Sequence, residues 1–144
     1  MYILKEYMST RKIDPSRKKS PRASRGKLER YIQPSILLGL YMKPSYGYEL
    51  IHDIQRFGFI EGQAPPGMIY RHLRQLEEEG LVSSEWQTEG PGPAKRVYHI
   101  TPEGKEVLAL WTEYMERQAT NLTRFIEQFR RIKRLERQPS VHQS

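Results

Sequence analysis

The chain has 144 residues, enough for one domain with a modest core but too few for two independent cores. It contains no cysteine, so disulfide bonds and thiolate chemistry are excluded. Its longest apolar runs are far shorter than a membrane span, and Met1–Leu4 is too short for the core of a signal peptide. We therefore expect a soluble, cytoplasmic protein without a membrane partner.

The formal net charge of +7 is concentrated near the N-terminus. Residues 1–30 hold ten lysines and arginines against three acidic residues, whereas residues 31–144 hold fourteen of each. Residues 9–27 are rich in Ser, Pro, Lys and Arg and offer almost nothing to bury, so residues 1–27 are predicted to form a disordered basic arm. The arm either adds sequence-independent phosphate contacts or is a solvated tail, and both interpretations stay open.

Two helices are predicted after the arm. Apolar residues recur at helical spacing from Leu28 to Tyr41, and Lys43-Pro44 ends that segment. Ser45 is the expected N-cap of a second helix, roughly Tyr46 to Phe57, and a glycine-containing loop at 58–62 follows it. The second helix is expected to bury Tyr48, Leu50, Ile51 and Ile54.

A third helix has the clearest boundaries in the sequence. Pro65 and Pro66 suit a helix start, because φ is already fixed and the missing N–H has no partner there. Gly80 suits the position just past a helix end. The predicted helix runs from about Gly67 to Glu79, and its buried stripe consists of Ile69, Leu73 and Leu76.

The charges along this third helix run against the helix dipole. Arg71 and Arg74 lie in its first half, and Glu77–Glu79 lie in its last turn, where acidic side chains are disfavoured. A helix that presents its N-terminal half to phosphates would tolerate this order. The pattern indicates either a recognition helix for nucleic acid or an ordinary amphipathic helix with a solvated charged face.

The hydrophobic period then changes from helical to alternating. Residues Val82 to Thr88 and Arg96 to Ile100 alternate as two half-buried strands, and the Gly/Pro-rich stretch 89–94 connects them. This pattern predicts a β-hairpin with Lys95 and Arg96 near its tip.

Thr101-Pro102-Glu103 starts a fourth helix with an N-cap hydroxyl, a first-turn proline and an acid at the positive end of the dipole. No strong helix breaker follows before Pro139, so the helix is expected to run 30 residues or more, about 45 Å at 1.5 Å per residue. A 3-4-3-4 spacing along it joins Leu108, Trp111, Met115, Gln118, Leu122, Phe125, Phe129 and Ile132.

Such a long seam is more than a small domain can cover, and it implies a partner helix, most simply a second copy across a two-fold axis. The alternative is that the helix folds back on its own domain, as its first turns are expected to do. Gln118, the one polar seam residue, either fixes the register or marks a wet gap in the interface.

Three helices, a hairpin and a long helix follow the order of a winged helix-turn-helix domain with an added dimerisation helix. The predicted fold class is mainly α with a small β-hairpin wing. The expected segments are the arm at 1–27, a DNA-binding domain at 28–101, a dimerisation helix at 102–137 and a disordered tail at 138–144.

Three blocks of the chain also resemble the PadR-like transcriptional regulators: ILLGLYMKPSYGYELIHDI, PGMIYRHLRQLEEEGLV and GPAKRVYHITPEGKEVL. The blocks and their spacing extend the resemblance from about Gln33 to Met115. The resemblance implies a homodimeric DNA-binding repressor whose third helix enters the major groove and whose wing touches the DNA backbone.

The resemblance also implies site residues. The expected DNA contacts are Tyr48, Gly67, Met68, Tyr70, Arg71, Arg74, Lys95 and Arg96. Some relatives bind flat aromatic compounds between their long helices, which makes Trp111 and Met115 the candidate effector contacts. Packing in the core or the seam is the simpler role for both residues.

Two alternative functions stay open. The chain could use its winged helix for protein contacts, or it could bind nucleic acid without sequence preference through the basic arm. No enzyme, cofactor or metal is expected, since the four histidines lack a metal-ligand spacing and no GxSxG motif is present. The GPGPAK stretch does not suit phosphate cradling, because its prolines remove backbone N–H donors.

Overall fold

The computed structural model describes residues 30–57 and 64–138. The predicted arm, the predicted loop at 58–62 and the tail from residue 139 onward lie outside the described residues. No described helix is long and apolar enough to cross a membrane. The elements in chain order are α1 (Ile32–Met42), β1 (Ser45–Tyr46), α2 (Gly47–Arg56), α3 (Pro66–Glu78), β2 (Val82–Gln87), β3 (Lys95–Ile100) and α4 (Pro102–Arg137).

Helix α1 lies at the centre of the core. Ile32, Ile36 and Leu37 on this helix are completely buried, and α1 contacts α2, α3 and β3. A helix that is apolar on nearly all sides is stable only where other elements surround it. Tyr41, in the last turn of α1, is exposed, and the Lys105 ammonium group lies 5.2 Å from the centroid of its ring.

The start of α2 differs from its prediction. Ser45 is not the N-cap but belongs to β1, and its hydroxyl donates to the Lys43 carbonyl at 3.2 Å. Tyr46 takes the N-cap position, and its backbone N–H donates to the Glu49 carboxylate at 3.1 Å. Tyr48 is not buried as expected but 59% exposed, because it follows the first residue of the helix on the outward side.

The three strands form one antiparallel sheet in the order β1-β3-β2, so the predicted hairpin gains a short third strand. Tyr98 at the centre of β3 pairs with Ser45 on one side and with Ser84 on the other, and Trp86 pairs with Arg96. Side chains alternate between the faces of a sheet, so Ser84, Trp86, Arg96 and Tyr98 share one face.

Helix α3 lies within one residue of its predicted bounds, and Gly80 follows it with φ of 77°. The predicted stripe is buried, and His72 joins it. The His72 Nδ1 atom lies 3.0 Å from Nε2 of Gln33 on α1, a buried polar pair. His72 is therefore a core residue, while the side chains between these buried positions face outward.

The predicted start of α4 is confirmed. The Thr101 hydroxyl accepts from the Gly104 backbone N–H at 3.0 Å and donates to the Gly80 carbonyl at 2.7 Å. A Cβ at Gly104 would collide with the Leu81 carbonyl oxygen, so only glycine allows this approach of α4 to the chain before β2. The chain divides into two compact units, one ending at Trp111 and one beginning at Thr112.

Candidate nucleic-acid interface

Some of the residues that were predicted to contact DNA lie on the outward face of α3. Gly67, Tyr70, Arg71 and Arg74 are exposed, and Met68 is half-buried. The helical period of 3.6 separates them from the buried stripe. This face therefore presents two guanidinium groups and a phenol to solvent near the N-terminal half of the helix.

Gly47, the first residue of α2, brings α3 and α2 together at one point. A Cβ at this position would lie 2.5 Å from Tyr70 Cε1 and 2.7 Å from the Tyr70 hydroxyl oxygen. Without a side chain at Gly47, the Tyr70 ring rests directly on the N-terminus of α2. Tyr48 follows Gly47 in the sequence and is exposed. Its ring stacks on the Tyr46 ring, with the centroids 5.7 Å apart.

Lys95 belongs to this same aromatic cluster. Its ammonium group lies 5.4 Å from the centroid of the Tyr46 ring, and the Tyr46 hydroxyl donates to Gln87 at 2.6 Å. The structure thus links Lys95 through Tyr46 to Tyr48 at the N-terminus of α2. A helix N-terminus, a lysine and exposed phenols together favour contact with an anion such as phosphate.

Arg96 differs from Lys95 because adjacent strand residues point to opposite faces of the sheet. Its Nη2 donates to both oxygens of the Glu77 carboxylate at 3.0 Å, and its Nε donates to the Ser84 hydroxyl at 2.8 Å. The guanidinium carbon lies 5.7 Å from the Trp86 centroid and 5.5 Å from the Tyr98 centroid. The guanidinium is therefore engaged with its own domain.

Sequence reasoning did not identify Glu77 and Ser84 as the partners of Arg96. The one indication in the sequence that Glu77 has a partner was its position in the last turn of α3, where the helix dipole disfavours an acid. Burial raises the pKa of the Tyr98 phenol beside this group, and the neighbouring Arg96 charge opposes that rise. The phenol stays neutral at physiological pH, since its ordinary pKa is already 10.0.

The predicted seam on α4 divides into two parts. Leu108 and Trp111 are buried within the compact unit that ends at Trp111, as expected for the first turns of the helix. Met115 and Gln118 are half-buried. The remaining seam residues are large, apolar and exposed, namely Leu122, Phe125, Phe129 and Ile132. Two apolar residues outside the seam, Ile126 and Leu135, are exposed as well.

The described part of the chain holds no arrangement of side chains suited to a metal ion. Among residues 30–57 and 64–138, no group of three or more His, Cys, Asp or Glu side chains is placed to hold a metal ion. The side chains of Glu77 and Ser84 converge on Arg96, with which they form an ion pair and hydrogen bonds within the domain.

Three helices followed by a two-stranded wing, with an exposed polar face on the third helix, define a winged helix-turn-helix domain. The chain belongs to the PadR-like family of transcriptional regulators, which matches residues 36–110 and so more than half of its length. This is a family of regulators and not of enzymes.

Individual relatives agree with this assignment. The chain is 38% identical over 63 residues to Transcriptional regulator Rv3488 of Mycobacterium tuberculosis, a match that covers 44% of this chain and 55% of the relative. The chain thus spans little more than half the length of that curated relative.

Solved structures resemble a larger part of the chain. A transcriptional regulator from Clostridium thermocellum has a TM-score of 0.61 and 26% identity, covering 76% of this chain and 99% of that one. A PadR-like transcriptional regulator from Bacillus cereus has a TM-score of 0.60 and 26% identity, covering 69% of this chain and 94% of that one.

Proposed function

We propose that this protein is a homodimeric, sequence-specific DNA-binding repressor that acts in the cytoplasm. The observation that carries the proposal is the exposed face of α3 with Tyr70, Arg71 and Arg74, on the third helix of a PadR-like winged domain. Within this fold, the third helix is the element whose shape and position suit the major groove.

The exposed side chains divide into groups that would position the protein and groups that would read sequence. Tyr48, Tyr70 and Lys95 cluster around the N-terminus of α2 and suit phosphate contacts, which fix orientation but carry no sequence information. Arg71 and Arg74 suit bidentate pairing with guanine O6 and N7, worth about 1–3 kcal/mol of discrimination for each good pair. Gly67 and Met68, at the start of α3, would lie close to the DNA bases or the DNA backbone.

The dimer proposal rests on the exposed part of the α4 seam. Four large apolar residues repeat at heptad spacing from Leu122 to Ile132, and all are exposed in a single chain. An identical helix across a two-fold axis provides the same spacing and would cover them. Two copies of α3 would then face successive major grooves, about 34 Å apart.

A small aromatic effector between the long helices would regulate the dimer by favouring one separation of the two α3 helices over another. Of the two residues predicted to contact it, Trp111 is completely buried in the compact unit, whereas Met115 is half-buried. We therefore place the effector contact at Met115 and the seam residues that follow it.

The DNA proposal is tested by a mobility-shift titration of the parent, Arg71→Ala and Arg74→Ala against the upstream region of the protein's own operon. Each variant is expected to lose about tenfold or more in affinity for the specific fragment, because a bidentate arginine–guanine pair is removed. Arg117→Ala, which removes an exposed arginine from α4, is the matched control and is expected to bind like the parent.

Parent-like binding by both variants would overturn the assignment of α3. Binding that survives both substitutions but disappears when residues 1–27 are deleted would support the basic arm as a non-specific binder instead. A parent that does not bind duplex DNA at moderate salt would favour a winged helix used for protein contacts.

A further inference from the structure

Three elements meet at a single group of side chains beside the wing. Glu77 comes from the last turn of α3, Ser84 from β2 and Arg96 from β3. Arg96 donates to both other residues, and the Ser84 hydroxyl also donates to the Glu77 carboxylate. Each member therefore contacts the other two, and the group connects both strands of the wing to α3.

The geometry at Arg96 is that of a structural ion pair. Its side chain is 41% exposed and that of Glu77 is 28% exposed, so both charges are partly shielded from water. Trp86 and Tyr98 flank the guanidinium at stacking distance. A planar guanidinium fits this combination of carboxylate and aromatic faces better than a lysine ammonium would.

The group also explains the position of Glu77. An acidic side chain in the last turn of a helix faces the negative end of the dipole, which is unfavourable. The Arg96 cation at 3.0 Å offsets that cost. The Ser84 hydroxyl also donates to the Glu77 carboxylate, so Glu77 has two hydrogen-bond partners. Local helix stability does not account for Glu77, but its contact with the wing does.

We infer that Glu77, Ser84 and Arg96 form a wing latch that fixes the angle of the β2–β3 hairpin against α3, and that Arg96 is a positioning residue and not a DNA contact. The DNA part of this inference rests on the proposed function. To reach a phosphate, Arg96 would have to leave three hydrogen bonds and expose the Glu77 carboxylate to the DNA. Lys95, on the opposite face of the strand, is the wing cation that contacts phosphate.

The latch matters for recognition because α3 and the wing have to engage one DNA site together. The α3 helix and the sheet are otherwise joined by the short connection from Glu79 to Leu81 and by packing of their inner faces. The ion pair between Glu77 on α3 and Arg96 on the central strand β3 limits the remaining freedom of the hairpin. Loss of the latch would let the wing tilt, so that Lys95 and the α3 arginines would no longer reach their targets simultaneously.

The test is a double-substitution cycle of Arg96→Gln, Glu77→Gln and the combined variant. DNA affinity is measured by fluorescence anisotropy across a series of salt concentrations. If the latch exists, each single variant lowers DNA affinity by a similar factor, about tenfold. The combined variant then binds DNA at least as tightly as the single variant with the lower affinity. The slope of log affinity against log salt becomes shallower by the same amount, about one, in both single variants, because loss of the latch from either side releases the same Lys95 phosphate contact.

A DNA contact by Arg96 predicts the opposite pattern and would overturn the inference. Glu77→Gln would then bind more tightly than the parent, since it removes an acid and frees the arginine. Arg96→Gln alone would reduce the salt slope by about one, Glu77→Gln would leave the slope at the parent value, and the two effects on affinity would add. Glu85→Gln is the matched control, because Glu85 pairs with His99 on the other face of the sheet and is expected to leave DNA affinity near that of the parent.

A second measurement does not involve DNA. Amide hydrogen exchange in β2 and β3 is expected to become about tenfold faster in both single variants, while exchange in α1 stays unchanged. Unchanged exchange in β2 and β3 of both variants would overturn the latch, whatever the DNA results. If the parent binds no DNA, the proposed function fails and the exchange rates alone decide whether the latch exists.

Discussion

Replacing Phe125 with lysine is expected to convert the proposed dimer into a monomer. Phe125 is 75% exposed in the single chain and lies in the middle of the seam from Leu122 to Ile132. In a two-fold interface the substitution occurs in both chains, so two ammonium groups would lose water close to each other without a partner. Light scattering is expected to give a mass near 17.1 kDa for the variant and near twice that value for the parent.

The same substitution is expected to lower operator affinity by about 100-fold or more. A dimer binds its second half-site intramolecularly, and a monomer loses that advantage completely. Thr123→Lys adds the same charge at an exposed position outside the heptad seam, so it is the matched control and is expected to remain dimeric. An unchanged dimer mass for the Phe125 variant would show that the seam is not the interface.

Replacing Trp111 with alanine is expected to cost about 3–5 kcal/mol of unfolding free energy, because it removes a large, completely buried side chain and leaves a cavity. Urea unfolding followed by circular dichroism measures this loss. Trp86→Ala is the matched control, since the other tryptophan of the chain is 61% exposed. Its unfolding free energy is expected to fall by less than about 1 kcal/mol.

A small loss of unfolding free energy in Trp111→Ala would mean that the Trp111 side chain is not part of the packed core. It would then be available to an effector, as the resemblance to the family first suggested. The cost of the substitution therefore distinguishes the two roles of Trp111 that the sequence left open.

Elements with local chemical signals were predictable from the sequence. The boundaries of α3 follow from Pro66 at its start and Gly80 after its end, and the start of α4 follows from the Thr101 cap. Alternation identified the β2–β3 hairpin. In each case the information lies within a few neighbouring residues, so no tertiary contact was needed to find the element.

Features that depend on contacts across the fold were not predictable. Strand β1 has only two residues, which is too short for any period, and it exists because Ser45 pairs with Tyr98. The pairing of Arg96 with Glu77 links residues 19 positions apart. The sequence placed Arg96 in the wing but contained no information on which face of the sheet would hold a carboxylate.

The α4 seam shows another limit of prediction from the sequence. Its apolar period is continuous from Leu108 to Ile132, but the first two members are buried in the chain's own domain and the last four are exposed. A helix that packs on its own core and a helix that packs on a partner show the same spacing. The periodicity therefore predicted an apolar face without showing where the core ends and the interface begins.

Dimethyl sulfate protection of the operator shows whether two α3 helices read adjacent major grooves. The reagent methylates guanine N7 in the major groove, the same atom that a bidentate arginine contacts. Two clusters of protected guanines are expected about 10 base pairs apart on one face of the duplex. Arg71→Ala or Arg74→Ala is expected to remove protection at one guanine within each cluster. No protected guanine, or protection that both variants retain in full, would show that the α3 helices do not read the major groove.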